Sequence, residues 1–147
     1  MNVFGTAEFA YGDAPLPSGV RSRFIDNGNG LSMHTLEAGF ELRNRPCVLL
    51  LHGFPELAYS WRKVMPALAA AGFHVIAPDQ RGYGRTTGWD GSYDGDVGSF
   101  RLLNLAKDAL GLVLALGYRS VAASGQSRRF VKLRFERSFR ECLRPVG

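Results

Sequence analysis

The apolar positions of this chain fall into short unbroken runs and helical stripes, and their order predicts an α/β unit. Cys47 to Leu51 is entirely apolar, entered from Pro46 and closed by His52-Gly53, the pattern of a strand covered on both faces of a parallel sheet. Phe73 to Ala77 is a second such run, ended by Pro78-Asp79-Gln80-Arg81-Gly82. Between them Ser60 and Trp61 begin a helical turn. Pro66 suits the first turn of the main helix, where its missing N–H does no harm, and Gly72 closes that helix. Trp61, Val64, Met65 and Leu68 recur at helical spacing and are expected in the core. Two parallel strands need such a crossover, so Pro46 to Gly84 reads as a βαβ unit.

Val20 to Asp26 and Leu31 to Ala38 read as strands of an antiparallel hairpin, joined by Asn27-Gly28-Asn29-Gly30, because Asn-Gly is a strong hairpin signal. Glu41 to Arg45 is a polar connection into the buried strand. Downstream, Ser99 to Gly117 predicts a helix with Ser99 as N-cap and Gly117 at its end. Leu103, Ala106, Leu110, Val113 and Leu114 form its expected apolar stripe, which Gly111 weakens slightly. Val121-Ala122-Ala123 begins a fifth strand. Residues 1–19 lack periodicity and read as a leader or loop. Arg85 to Gly98 is a glycine-rich polar loop whose Asp90, Asp94 and Asp96 lack the spacing of an EF-hand.

A chain of 147 residues with 46% apolar and 12% aromatic content suits one globular domain and is too short for two. No apolar run reaches the length of a membrane span, and Met1 to Asp13 lacks the basic start and apolar centre of a secretory signal, so a cytoplasmic location is expected. Cys47 and Cys142 give neither a disulfide framework nor metal-ligand spacing. They are expected to be reduced and inert. The formal charge of +5 is uneven: basic and acidic residues balance through residue 127, and the whole excess arises from residues 128–147. The body is neutral, and no specific nucleic-acid partner is expected of it.

The turn His52-Gly53-Phe54-Pro55-Glu56 stands where ligands bind in an open α/β sheet, at the carboxyl end of a strand. Gly53 permits close approach of the backbone, and Pro55 stiffens the turn. HGFPE, SWR and APDQRGYG together resemble the epoxide-hydrolase and haloalkane-dehalogenase branch of the α/β-hydrolase fold, over roughly Val20 to Ala123. The resemblance implies that Phe54 donates an oxyanion-hole N–H, supported by His52, Gly53 and Pro55, with a Phe-Pro bond that is often cis. It also implies a small-molecule substrate: an epoxide or related electrophile opened by a carboxylate nucleophile, through an ester and activated water, with no cofactor. Asp79, although at a strand's carboxyl end, is then structural.

The pattern breaks after Ala123. A nucleophile elbow needs small residues on either side of its centre, and the chain runs Ser124-Gly125-Gln126-Ser127-Arg128-Arg129-Phe130, with Arg129 where a small residue belongs. No Asp follows Asp108 and no His follows His74. The expectation is the amino-terminal part of the fold, residues 20–123, truncated before the elbow, catalytically incomplete, and followed by a basic tail over 124–147. Val131, Phe135, Phe139, Cys142 and Val146 fall at near-helical spacing among arginines, which reads either as an amphipathic basic helix or as an out-of-frame end foreign to the fold. The abrupt change of charge favours the second. Two rivals remain: a serine esterase using Ser127, whose base must come from the upstream His34, His52 or His74, and a non-catalytic module binding anionic partners through the tail. With the fifth strand as a bare sheet edge, self-association is expected.

Overall fold

The computed structural model describes residues 15–125 and the backbone of residues 130–134. Six strands, β1 (Val20–Asp26), β2 (Ser32–Ala38), β3 (Cys47–Leu50), β4 (His74–Pro78), β5 (Ser120–Ser124) and β6 (Phe130–Arg134), form one mixed sheet in the order β1-β2-β4-β3-β5-β6. The hairpin β1-β2 is antiparallel, with Val20 opposite Ala38 and Asp26 opposite Ser32. β4, β3 and β5 run parallel, as the two apolar runs predict. Two helices, α1 (Met65–Ala70) and α2 (Leu102–Ala115), and two 3₁₀ turns over Ala58–Trp61 and Val97–Phe100 complete the described elements.

Alternate residues of each central strand serve opposite faces. Cys47, Leu49 and Ile76 pack with Ile25, Met33, Leu112 and Val113 on the α2 face, while Val48, Leu50, Val75 and Ala77 pack with Leu36, Ala58 and Met65 on the α1 face. Both faces are covered, which is why these strands carry no polar alternation. Leu16, within the expected leader, also packs against the second cluster.

Both helices end in the same way. Gly72 (φ 97°) and Gly117 (φ 86°) take the left-handed conformation that a side chain disfavours. The N–H of Gly72 reaches Ala69 O and that of Phe73 reaches Leu68 O; Gly117 and Tyr118 repeat the pair on Leu114 O and Val113 O. These are Schellman closures, and each turns the chain straight into the next strand.

Several expectations fail for physical reasons. Ser99 is not the N-cap: α2 begins after Arg101 without a side-chain cap, and the preceding 3₁₀ turn is capped by Asp96, which accepts from Gly98 N–H. The buried face of α2 is also rotated from the predicted stripe. Leu103 is 67% exposed, whereas Asp108, Gly111 and Leu112 are buried with Leu110 and Val113. An ion pair determines that rotation, since Arg81 Nε and Nη2 donate to Asp108 Oδ2 and Oδ1 at 2.8 and 2.9 Å. Asn29 Nδ2 adds a bond to Asp108 Oδ1 at 2.7 Å, and Asn27 Oδ1 holds the hairpin turn by accepting from the N–H groups of Asn29 and Leu31. Gly111 lies so close to the hairpin that a Cβ would strike Asn27 O. Val64, expected inside, is half exposed.

The fifth strand is not an edge. β6 pairs with it antiparallel, Ser120 opposite Arg134 and Ser124 opposite Phe130, so the helix reading fails for residues 130–134. Ser127, Cys142 and the rest of the basic tail lie outside the described residues.

At the amino ends of the parallel strands, Glu37 is fully buried on β2 and receives Arg21 Nε at 2.9 Å and Arg23 Nε and Nη2 at 2.8 and 3.0 Å. His74 Nε2 lies 3.3 Å from Glu37 Oε1 without the alignment of a full hydrogen bond, and its Nδ1 meets the Tyr118 hydroxyl. Burial opposes the Glu37 charge, and its contacts with His74, Arg23 and Arg21 outweigh burial, holding the carboxyl at about 2 rather than 4.5. Burial, reinforced by the Glu37 charge, pushes the Cys47 thiol up to about 12, so it stays protonated and unreactive.

Two outcomes follow. Because the folded pKa of Glu37 lies below the unfolded value, its contribution of about 3 kcal/mol is complete above pH 4.5 and is lost as pH falls from 4.5 toward 2. A ¹³C titration of its carboxyl is expected to show a midpoint near 2, and a midpoint near 4.5 would refute the network. Gly111→Ala, which helix propensity alone would make stabilising by about 1 kcal/mol, is expected to destabilise by about 1–2 kcal/mol in urea unfolding, because the added methyl forces α2 off the hairpin.

Candidate functional site

The carboxyl ends of β3 and β4 lie side by side, and the turns leaving them form the two walls of a cleft. The first wall is the turn after β3. Glu56 N–H donates to Gly53 O at 2.9 Å, closing a four-residue turn whose Phe54–Pro55 bond is cis, as the resemblance implied. Phe54 is 81% exposed, and its N–H has no acceptor among the described residues.

His52 is buried beneath that turn and is fully engaged. Gln80 N–H donates to its Nε2 at 3.0 Å, so Nε2 carries the lone pair and the ring proton resides on Nδ1, which donates to Gly53 O at 3.0 Å. The Gln80 side-chain amide donates to His52 O, and the Tyr83 ring packs edge-on against the imidazole at 4.9 Å between centroids. The histidine thus links the two walls as a neutral spacer. With both nitrogens occupied, it is no general base for a serine.

The second wall follows β4 and is anchored by Asp79, whose carboxylate is fully buried. It accepts from Ala58 N–H at 3.0 Å, from Arg85 N–H at 3.1 Å, and contacts His34 Nδ1 at 3.0 Å. Gly84 (φ 54°) passes so close that a Cβ there would run into the carboxylate. Asp79 is therefore structural, as expected, with its oxygens committed to the backbone on both sides of the cleft.

Between the walls lies a cavity of about 260 Å³, bounded by His52, Gly53 and Phe54 on one side and by Tyr83, Phe100 and Leu105 on the other. Three of these, Phe54, Phe100 and Leu105, are apolar. The sequence pointed to the first wall through its motif, but Gln80, Tyr83, Phe100 and Leu105 were not singled out. Gln80 had a usable signal, its position directly after the strand-ending Asp79, whereas Phe100 and Leu105 are brought in by the packing of α2. Ser127 lies outside the described residues. His34 and His74 are remote from the cleft lining, one bonded to Asp79 and the other at the opposite ends of the strands. No group of three or more His, Cys, Asp and Glu among the described residues has the arrangement of a metal site. No described helix is long and apolar enough to cross a membrane.

Known proteins share this arrangement. Epoxide hydrolase A of Mycobacterium tuberculosis is 45% identical over 95 residues, covering 65% of this chain and 27% of its own length. AB hydrolase superfamily protein YfhM of Bacillus subtilis is 41% identical over 95 residues, covering 65% of this chain and 30% of its own. Among solved structures, epoxide hydrolase A from Mycobacterium thermoresistibile superposes with a TM-score of 0.64 at 40% identity, covering 72% of this chain and 31% of that one. The chain thus spans about a third or less of the relatives it matches, and the matched region is the amino-terminal part of their fold. The family model described as alpha/beta hydrolase fold matches residues 46–128, and with the mixed sheet, the turn after β3 and the cleft in place, this chain belongs to the α/β-hydrolase fold family.

Proposed function

We propose that this chain carries the oxyanion half of a hydrolase site acting on an epoxide or a related small, largely apolar electrophile. The observation that supports it most is the Phe54 N–H, which has no acceptor among the described residues and stands on a turn at the edge of the 260 Å³ cavity. An N–H held in place before the reaction stabilises developing negative charge without reorganising at the moment it forms, and removal of one such donor typically costs about 10²–10³ in rate. The His52–Gln80 clamp supplies the rigidity. Phe54, Phe100 and Leu105 supply the apolar contact, and the relatives named epoxide hydrolases point to the substrate class.

The carboxylate nucleophile is the part this chain does not supply. Asp79 and Asp108 have their oxygens committed to structural partners, and no Asp or His follows them in a position to complete the chemistry. Ser127 as an alternative nucleophile needs a histidine in reach, and His52 has both ring nitrogens engaged. The element after β5 among the described residues is a strand paired back on β5, not the helix that an elbow opens. The 147-residue chain alone is therefore a binding half-site without turnover.

The purified chain is expected to hydrolyse styrene oxide and nitrophenyl acetate no faster than a denatured control. A saturable rate abolished by one substitution would overturn this reading, and fluorophosphonate labelling lost in Ser127→Ala would replace it with the serine esterase. Ring ¹⁵N shifts of His52 at pH 8 are expected to show protonated Nδ1 and bare Nε2. The reverse tautomer would mean that Gln80 does not clamp the turn.

A further inference from the structure

The starts of the parallel strands, at the opposite end of the sheet from the cleft, carry an open basin of about 970 Å³. Arg21, Arg23, Arg43, Arg45 and Arg119 line it, with His74 and Tyr118 between them, and no carboxylate is part of the lining. The single acid close by is Glu37, fully buried and already bonded to Arg21 and Arg23. One carboxylate against two guanidiniums leaves an excess of positive charge, to which the other three arginines add. Arg43 and Arg119 are exposed and pair with no carboxylate among the described residues, while Arg45 commits one Nη to Ala69 O. Arg21 donates to Glu37 only through Nε, which leaves both of its Nη groups uncommitted there.

We propose that this basin binds a small soluble anion bearing two or more phosphate groups. Five guanidiniums around one concavity repel each other, and low walls focus their field, so a multivalent anion gains most where the arginines converge. Guanidinium forks match phosphate oxygens in pairs, and Tyr118, its hydroxyl kept protonated chiefly by burial with a pKa pushed up to about 12, remains neutral beside them. The volume is that of a small-molecule site, and the charge surrounds a hollow instead of running along a stripe or a plane. That shape favours a compact ligand over a nucleic-acid backbone or a lipid surface. The basin shares no residue with the cleft, so the proposal stands or falls independently of the hydrolase reading.

The test is calorimetric titration of the full chain with sodium tripolyphosphate at about 150 mM salt, where exposed charges are screened beyond about 8 Å. Saturable one-site binding is expected, weakened at least tenfold by Arg43→Glu with Arg119→Glu. Two charge-matched pairs, Lys63→Glu with Arg101→Glu on the body and Arg137→Glu with Arg140→Glu in the tail, are expected to change it less than twofold. Absence of saturation, or an equal loss in either control pair, would overturn the proposal. Tighter binding through the same arginines to duplex RNA or to phosphatidylserine vesicles would overturn it as well. Should the reversed pair lose its native circular dichroism, Arg43→Gln with Arg119→Gln takes its place, with at least a threefold loss expected and no loss counting against the basin.

Discussion

The cleft depends on the burial of one carboxylate. Asp79 has no access to water, so its charge is tolerable only with its oxygens occupied by donors. Those donors come from places far apart in sequence: the N–H of Ala58 beyond the Phe54 turn, the N–H of Arg85 beyond the glycine turn, and the ring of His34 on β2. Satisfying the charge therefore fixes both walls of the cleft at once. Gly84 is part of the same constraint, because the backbone must pass against the carboxylate with no side chain between. Next to it, Gln80 and His52 tie the walls together a second time.

The same logic recurs wherever polar groups are buried in this chain. Asp108 is paid for by Arg81 and Asn29, and in being so it determines which side of α2 faces the sheet. Glu37 plays the equivalent part at the other end, where Arg21, Arg23 and His74 converge on it. Each buried acid joins elements that apolar packing alone would leave free to slide, since apolar contact has no direction and hydrogen bonds do. The apolar faces hold the sheet between the helices. The acids set the register of the loops.

That division explains what the sequence made legible. Runs such as Cys47 to Leu51 and Phe73 to Ala77, and glycines such as Gly72 and Gly117, announce strands and helix ends because burial and backbone freedom are local properties of residue type. HGFPE was readable for a related reason, as a stiff turn at a strand's carboxyl end. The rotation of α2 was not, because Leu103 and Leu114 look as apolar in sequence as Leu112, and only the pairing of Asp108 with Arg81 decides between the faces. Gly111 misled in the same way: helix propensity registers a weak residue, while the structure uses it as the point where α2 touches Asn27. Half the cleft was equally hidden, since Phe100 and Leu105 reach it through that same docking.

The pairing of β6 bears most directly on what the carboxyl end of β5 can do. A strand parallel to β5 would require a crossover, and in this family the crossover begins at the nucleophile, held at the top of the sheet between strand and helix. An antiparallel strand needs no such crossover, and here Phe130 already stands opposite Ser124, the last residue of β5. The position facing the Phe54 turn is thus followed by a strand whose backbone bonds satisfy the β5 edge. That pairing removes an unpaired row of donors and acceptors from the centre of the sheet and moves the open edge out to β6. The apolar runs of β3 and β4 keep their cover as a result, even though the elbow helix is not there to provide it, so the folding of this half of the sheet is separable from the chemistry it serves in its relatives.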